Sequence, residues 1–254
     1  MNRILRVAAL AAIFLFGLAA VAVPSHAADL AAILKAANQL IALGANAYKT
    51  GQAPRMTDPK VRTLLRAAYD VSDVPANGPT SSKEMQELGK QIRTVTRVGL
   101  VYTLAGTGYR SFQDAAKTKN LDKLNAQVNR NAVTYAAEMA GYYDAGLVVY
   151  GAMVKGVASQ VEAKSLTKAK VAGFAQSAAR YFVNVVKTLT IPGLSDGWQR
   201  DRMPGLIGMA PNLAKLSSPK LKADIRGALL TLAGRFKDPV LKAGIAGLAD
   251  EFAG

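Results

Sequence analysis

The chain contains no cysteine, and its one histidine, His26, lies among the first 27 residues. Without cysteine there is no disulfide, no thiol nucleophile and no thiol redox pair. If the first 27 residues are removed, histidine goes too. Zinc sites built on His or Cys, Ser-His-Asp and Cys-His nucleophiles, and haem ligation through either residue are then excluded. No metal and no cofactor is expected. No Asn-x-Ser/Thr acceptor is present, which favours a bacterial envelope over a eukaryotic secretory route. Carboxylates, hydroxyls, aromatic rings and a large number of cations remain.

The first 27 residues have the form of a signal peptide. Arg3 and Arg6 make a basic head, Val7 to Val23 is an apolar run of 17 residues, and Ser25-His26-Ala27 offers small residues around one position. The run is shorter than the ~20 residues of a comfortable membrane span, so cleavage after Ala27 is favoured over retention as an anchor. Arg3 and Arg6 are not adjacent, which points to the Sec-type route. The expected location is the periplasm or the medium. Residues 28–254 then form one all-α domain, with 204–254 as a possible small subdomain.

Charge is lopsided. The chain has 32 basic and 17 acidic side chains, and loss of Arg3 and Arg6 still leaves a net charge of +13. Such an excess attracts anionic surfaces. In a periplasm these are lipid headgroups, lipopolysaccharide and wall polymers, and nucleic acid is not an expected partner.

Apolar residues recur at helical spacing along nearly the whole chain, and nothing alternates with period two for long enough to make a sheet. The expectation is a bundle of about six to eight helices, with long central ones at 83–105, 121–162 and 165–190. Leu30, Ile33, Leu34, Leu40, Ile41 and Leu43 mark a first helix. Asp58-Pro59 opens a second, with a capping residue followed by proline. From Lys83 on, Met85, Leu88, Ile92, Val95, Gly99 and Tyr102 form a seam that carries helix through the strand-like TVTRVGLVYTL. Leu124, Val128, Ala132, Tyr135, Met139, Tyr142, Gly146, Val149, Met153 and Val157 stripe the longest segment. Gly141, Gly146, Gly151 and Gly156 recur every five residues, winding round that helix and admitting neighbours from several sides. Two stretches near the end, SPKLKADIRGALL and DPVLKAGIAGLAD, are alike; two such units read as similar capping, since a solenoid needs at least three.

Three groups of residues are candidate sites. SDGWQRDRMPG, residues 195–205, holds the only tryptophan, Trp198, with Arg200, Asp201 and Arg202. Gly197 and Pro204 disfavour helix there, so it reads first as an anchored turn and second as a binding platform. Glu138 lies beside the core stripe between Tyr135 and Tyr142. A structural bond to a tyrosine or arginine is expected of it, although a buried carboxylate is also what a general acid requires. Asp144, six residues on, lies about 120° away round a helix, a poor arrangement for a carboxylate pair. Lys90, Arg93 and Arg97 form a basic stripe on an outward face. The fourth motif, GTGYR at 106–110, reads as a turn between helices.

Together these features suggest an exported, non-enzymatic binding or scaffold protein with a basic surface for an anionic envelope component. The alternatives are a carrier of a small apolar or aromatic ligand in a tyrosine-lined cavity, and a carboxylate-only hydrolase working through Glu138 or Asp201. Intact-mass measurement of the protein from an envelope fraction is expected to give an amino terminus at Ala28. A species beginning at Met1 would indicate a retained anchor instead.

Overall fold

A computed structural model describes residues 26–253, and helix is the only regular structure among them. The proposed leader therefore lies outside the described residues apart from His26 and Ala27. The segments are α1 (His26–Leu43), α2 (Ala47–Thr50), α3 (Pro59–Ala68), α4 (Ser82–Thr103), α5 (Phe112–Ala115) and α6 (Leu121–Thr134). They continue with α7 (Ala136–Glu162), α8 (Lys168–Leu189), α9 (Asp196–Arg200), α10 (Met203–Leu216), α11 (Pro219–Ala233) and α12 (Pro239–Asp250). The all-α expectation holds, with more helices than the six to eight foreseen. Two causes account for the excess. Short turns of four or five residues fold as α2, α5 and α9, and the segment expected as one helix over 121–162 is interrupted at Tyr135.

Side chains set the helix starts. Asp58, Ser218 and Asp238 each precede a proline and accept a hydrogen bond from a first-turn amide, at 2.8, 3.2 and 2.8 Å. Each such cap contributes about 0.5–2 kcal/mol. At the start of α4, Ser81 Oγ accepts from the Glu84 amide, while Glu84 Oε2 accepts from the amides of Thr80 and Ser81. This reciprocal box satisfies amides that have no partner within the helix. Thr167, two residues beyond the expected start at Ser165, caps α8.

The described residues fall into two compact units. The first comprises 26–73 and 89–145; within it α1 packs on α3. Ile33, Ala36, Ala37 and Leu40 of α1 are buried, as are Val61, Leu65 and Ala68 of α3. Leu43, at the end of α1, is exposed. Along α4, TVTRVGLVYTL is helical as far as Thr103. Leu88, Val95, Gly99 and Tyr102 of its seam are buried, Met85 and Ile92 half-buried, and Gln91, Thr94 and Val98 widen the buried face.

The second unit comprises 74–88 and 146–253. Here α8 packs on α10 and α11, and α12 packs on α10 and α11. Phe182, Val185, Val186 and Leu189 of α8 are buried, as are Leu206, Met209 and Leu213 of α10, Ile225 and Leu229 of α11, and Leu241 and Ile245 of α12. Thus the two similar capped stretches form adjacent helices.

The glycines of α7 serve close approach at three of four positions. A Cβ on Gly141 would stand 2.6 Å from the Tyr69 ring, and one on Gly146 would stand 2.0 Å from Tyr181 Oη. A Cβ on Gly156 would meet the Pro79 ring at 2.4 Å and the Pro79 carbonyl at 2.7 Å. Gly151 meets nothing within 4 Å. Gly156→Ala is therefore expected to destabilise. Overpacking costs about 1–3 kcal/mol, against a helix-propensity gain of only about 0.5–1 kcal/mol. Gly151→Ala keeps that gain and is expected to stabilise. Denaturant unfolding of the two variants checks the contrast, and equal stabilities would contradict it.

Candidate functional site

Tyr135 has φ −111° and ψ 28°, and it stands between α6 and α7 as a break in an otherwise continuous run of helix. Its hydroxyl donates to the Gly51 carbonyl at 2.6 Å and accepts from the Ala53 amide at 3.1 Å. Beside it, Arg55 Nη1 donates to the carbonyl of Thr134, the last residue of α6, at 2.9 Å. Arg55 Nε lies 3.2 Å from Glu138 Oε1, and its guanidinium sits 5.0 Å from the centre of the Tyr135 ring. The Met56 amide donates to the same Glu138 oxygen at 2.9 Å. Residues 51–56 are thereby fastened to the helix joint through both backbone and side chains.

Neighbouring polar groups extend this cluster. Asn131 Nδ2 donates to the carbonyls of Thr103 and Ala105, at 2.9 and 2.7 Å, so α6 caps the end of α4 with a side chain. Gln127 Nε2 donates to Asn131 Oδ1 at 2.9 Å. The ring of Tyr102 stands 5.6 Å from that of Tyr135. Burial raises the pKa of the Tyr102 phenol, and the nearby Glu138 carboxylate raises it further. Turn residues 106–110 close the same region: the Gly106 and Gly108 amides donate to the carbonyls of Ala47 and Tyr48, and Arg110 Nε donates to Tyr48 Oη at 2.7 Å.

Tyr135 and Glu138, singled out in the sequence, thus come together on Arg55, which was not. Tyr142 lies one turn further, half-buried, its ring against Gly99 and 4.8 Å from that of Tyr143. In the second unit Tyr150 stacks on Tyr181 at 4.4 Å, and burial pushes its pKa up to about 12. These rings pack on one another. Glu138 is buried whereas Asp144 is exposed, so the two carboxylates do not converge. Among the described residues no group of three or more His, Cys, Asp or Glu side chains is arranged to hold a metal.

Lys90, Arg93 and Arg97 share one face of α4, with Lys90 and Arg97 exposed and Arg93 half-buried. In the second unit, SDGWQRDRMPG is helical rather than irregular. Ser195 Oγ accepts from the Trp198 amide at 3.2 Å and caps α9. Gly197 fits inside that short turn, and Pro204 lies in the first turn of α10, where its missing amide hydrogen costs nothing. Trp198 is half-buried and Asp201 exposed, while Arg202 is only 2% exposed. The Arg202 guanidinium lies 4.0 Å from the centre of the Trp198 ring and donates to the Trp198 carbonyl. Arg200 bonds Asp238, the α12 cap, through two nitrogens at 2.6 and 3.0 Å. This pair lowers the carboxyl pKa of Asp238 and raises that of Arg200. Asp201, flanked by two arginines in sequence, is not the carboxylate that binds Arg200.

A groove of about 290 Å³ runs between Lys168, Ala172 and Gln176 of α8 and Ser217, Pro219 and Leu221. No tyrosine lines it. No family model matches this chain, and comparison with curated proteins and with solved structures found no match.

The sequence hid Arg55, Asn131 and the burial of Arg202. Arg55 sits in a non-helical stretch with no periodicity to place it, although the adjacent Gly51 and Pro54 announce a fixed turn. Asn131 precedes Ala132 on the core stripe, and a polar residue beside a buried position was the available signal. Tyr135→Phe and Arg55→Ala are each expected to lower stability by about 1–3 kcal/mol, since each leaves buried polar partners unsatisfied. Their combined loss is expected to fall short of the sum, because both fasten the same loop to the same joint. Denaturant titration of the two single variants and the double variant checks this.

Proposed function

We propose that the chain is an exported, non-enzymatic helical binding protein whose basic outward faces hold an anionic component of the cell envelope, a lipid headgroup, lipopolysaccharide or wall polymer. The observation that carries this reading is the segregation of charge along the chain. Between Glu87 and Asp114 there are four cations and no acid, and Lys90, Arg97 and Arg110 are exposed. Between Glu162 and Asp196 there are five cations and no acid, and Lys164, Lys168, Lys170 and Arg180 are exposed. One stretch lies in each unit. Cations without interleaved carboxylates sum their fields toward an extended polyanion, which suits a surface better than a closed pocket. Support for export comes from residues 1–27, whose basic head, apolar run and small-residue end form a leader.

Other features fit this reading better than they fit catalysis or ligand carriage. Glu138 is held by Arg55 and the Met56 amide, which suits a structural role. The tyrosines contact one another, which suits packing.

Binding to vesicles of phosphatidylcholine with and without phosphatidylglycerol tests the proposal. The mature protein is expected to bind the anionic vesicles at low salt and to be released as the Debye length shrinks from about 30 Å at 0.01 M to about 8 Å at 0.15 M. Replacing Lys90, Arg93 and Arg97 together by Gln is expected to weaken binding while leaving the unfolding transition in place, because the buried residues of α4 are untouched. Equal binding to neutral and anionic vesicles at low salt would sink the electrostatic reading.

A further inference from the structure

The groove of the second unit has one wall from the start of α8, where Ala169, Ala172 and Ala175 line it, and the other from the Ser217-Ser218-Pro219 turn that joins α10 to α11. Packing of α8 on both α10 and α11 fixes the walls. Alanine methyls do not fill the space between them, and about 290 Å³ stays open. That volume is at the lower edge of the ~300–1,000 Å³ typical of small-molecule sites.

The floor is apolar. Ala175 is 0% exposed, and Leu216 and Ser217 are each 2% exposed. Ser217 Oγ donates to the Leu213 carbonyl at 2.7 Å, and Ser218 Oγ accepts from the Leu221 amide at 3.2 Å, so both hydroxyls are engaged by their own helices. Lys168 and Gln176, which also line the groove, are exposed and stand at its rim.

Charge around the groove has one sign. The α8 wall comes from the acid-free stretch between Glu162 and Asp196. The opposite wall comes from a second one, between Asp201 and Asp224, which carries four cations. Glu162 itself is bound to Lys215 at 2.8 Å. Lys168 and Lys170 lie in the first turn of α8, Lys220 and Lys222 in the first turn of α11, and neither turn holds an acid. The macrodipole makes a helix start the unfavourable end for a cation. These lysines therefore do not serve the helices that carry them.

We propose that this groove holds a single-chain anionic lipid, its alkyl tail along the floor and its headgroup beside Lys168. The site rests on the reading above, in which stretches without acid face anions, and here the bound anion carries an apolar tail. Size and polarity select a tail over a peptide. A helix with its side chains is about 10–12 Å across, so a single turn already takes more than the open volume. An extended peptide would set its amides and carbonyls against a floor whose hydroxyls are engaged. An alkyl chain asks for no hydrogen bonds.

Titration of the protein with octanoate, decanoate and dodecanoate as monomers, followed by NMR of the alanine methyl groups, tests the site. The Ala172 and Ala175 methyl signals are expected to shift, with affinity rising roughly fourfold per added methylene until the groove is full. Lys168→Gln is expected to weaken decanoate several-fold, to the affinity of decanol. Ala172→Phe, at an exposed helical position, fills the groove and is expected to abolish binding with the circular dichroism unchanged. Octanoate and decanoate binding equally, or decanoate binding the Ala172→Phe variant as well as the parent, would overturn the site. So would displacement of decanoate by a tail-less acidic peptide, which would point to a protein partner. Monomeric decanoate needs no vesicle, so the two readings fail separately. Decanoate binding without a preference for anionic vesicles retires the surface reading alone. Salt-dependent vesicle binding with no shift of the alanine methyls retires the groove alone.

Discussion

A buried carboxylate must be compensated where it stands, and in the first unit that requirement falls on Glu138. Its Oε1 accepts from the Met56 amide and faces Arg55, and Arg55 also binds the carbonyl that ends α6. Removing a partner from a buried charge is far more damaging than the net contribution of the pair suggests, because the charge left behind has lost its water. The stretch from Gly51 to Asp58 is consequently confined at both ends. Tyr135 and Glu138 hold its first part, and the Asp58 cap begins α3 two residues after Met56. The position of α3, and with it the packing of α1, follows from where this loop is anchored.

What the sequence revealed and what it concealed separate along physical lines. Caps are local, so Asp58, Ser218 and Asp238 could be read directly, each from a capping residue followed by proline. Core faces are periodic, so the stripe from Ala132 to Val157 was also legible. The break at Tyr135 was not, because the apolar stripe keeps its phase on both sides of the joint. A single excursion in φ and ψ leaves no mark on a pattern of hydrophobicity. Its cause is non-local too: Met56 and Glu138 are 82 residues apart. Arg202 was hidden for a different reason: its partner Trp198 is only four residues away, but a charged side chain among charged neighbours carries no pattern that marks it as buried. Of the candidate residues, Tyr135 and Glu138 were visible by their place beside the stripe, whereas Arg55 needed the fold.

Charge and packing divide the labour in this protein. Buried cations are tied to particular partners, as Arg202 is to the Trp198 ring and carbonyl. Many exposed cations instead lie in two stretches that carry no acid, 88–113 and 163–195, and a diffuse positive field of that kind demands no single geometry of what it attracts. A fold of this kind places few stereochemical demands on its outward faces. The glycines at 141, 146 and 156 show where the demands are strict, each meeting a ring or a proline at a distance that admits no side chain.

Trp198 is the chain's only tryptophan and lies in the second unit, whereas seven of the nine tyrosines lie in the first. Excitation at long ultraviolet wavelengths, where tyrosine does not absorb, therefore reports on the second unit alone. Circular dichroism in the far ultraviolet reports on every helix in both. If the units melt together, the two signals trace one curve. If the first yields at a different temperature, the helical signal changes while the indole emission holds steady, and the independence of the two units becomes measurable without any label.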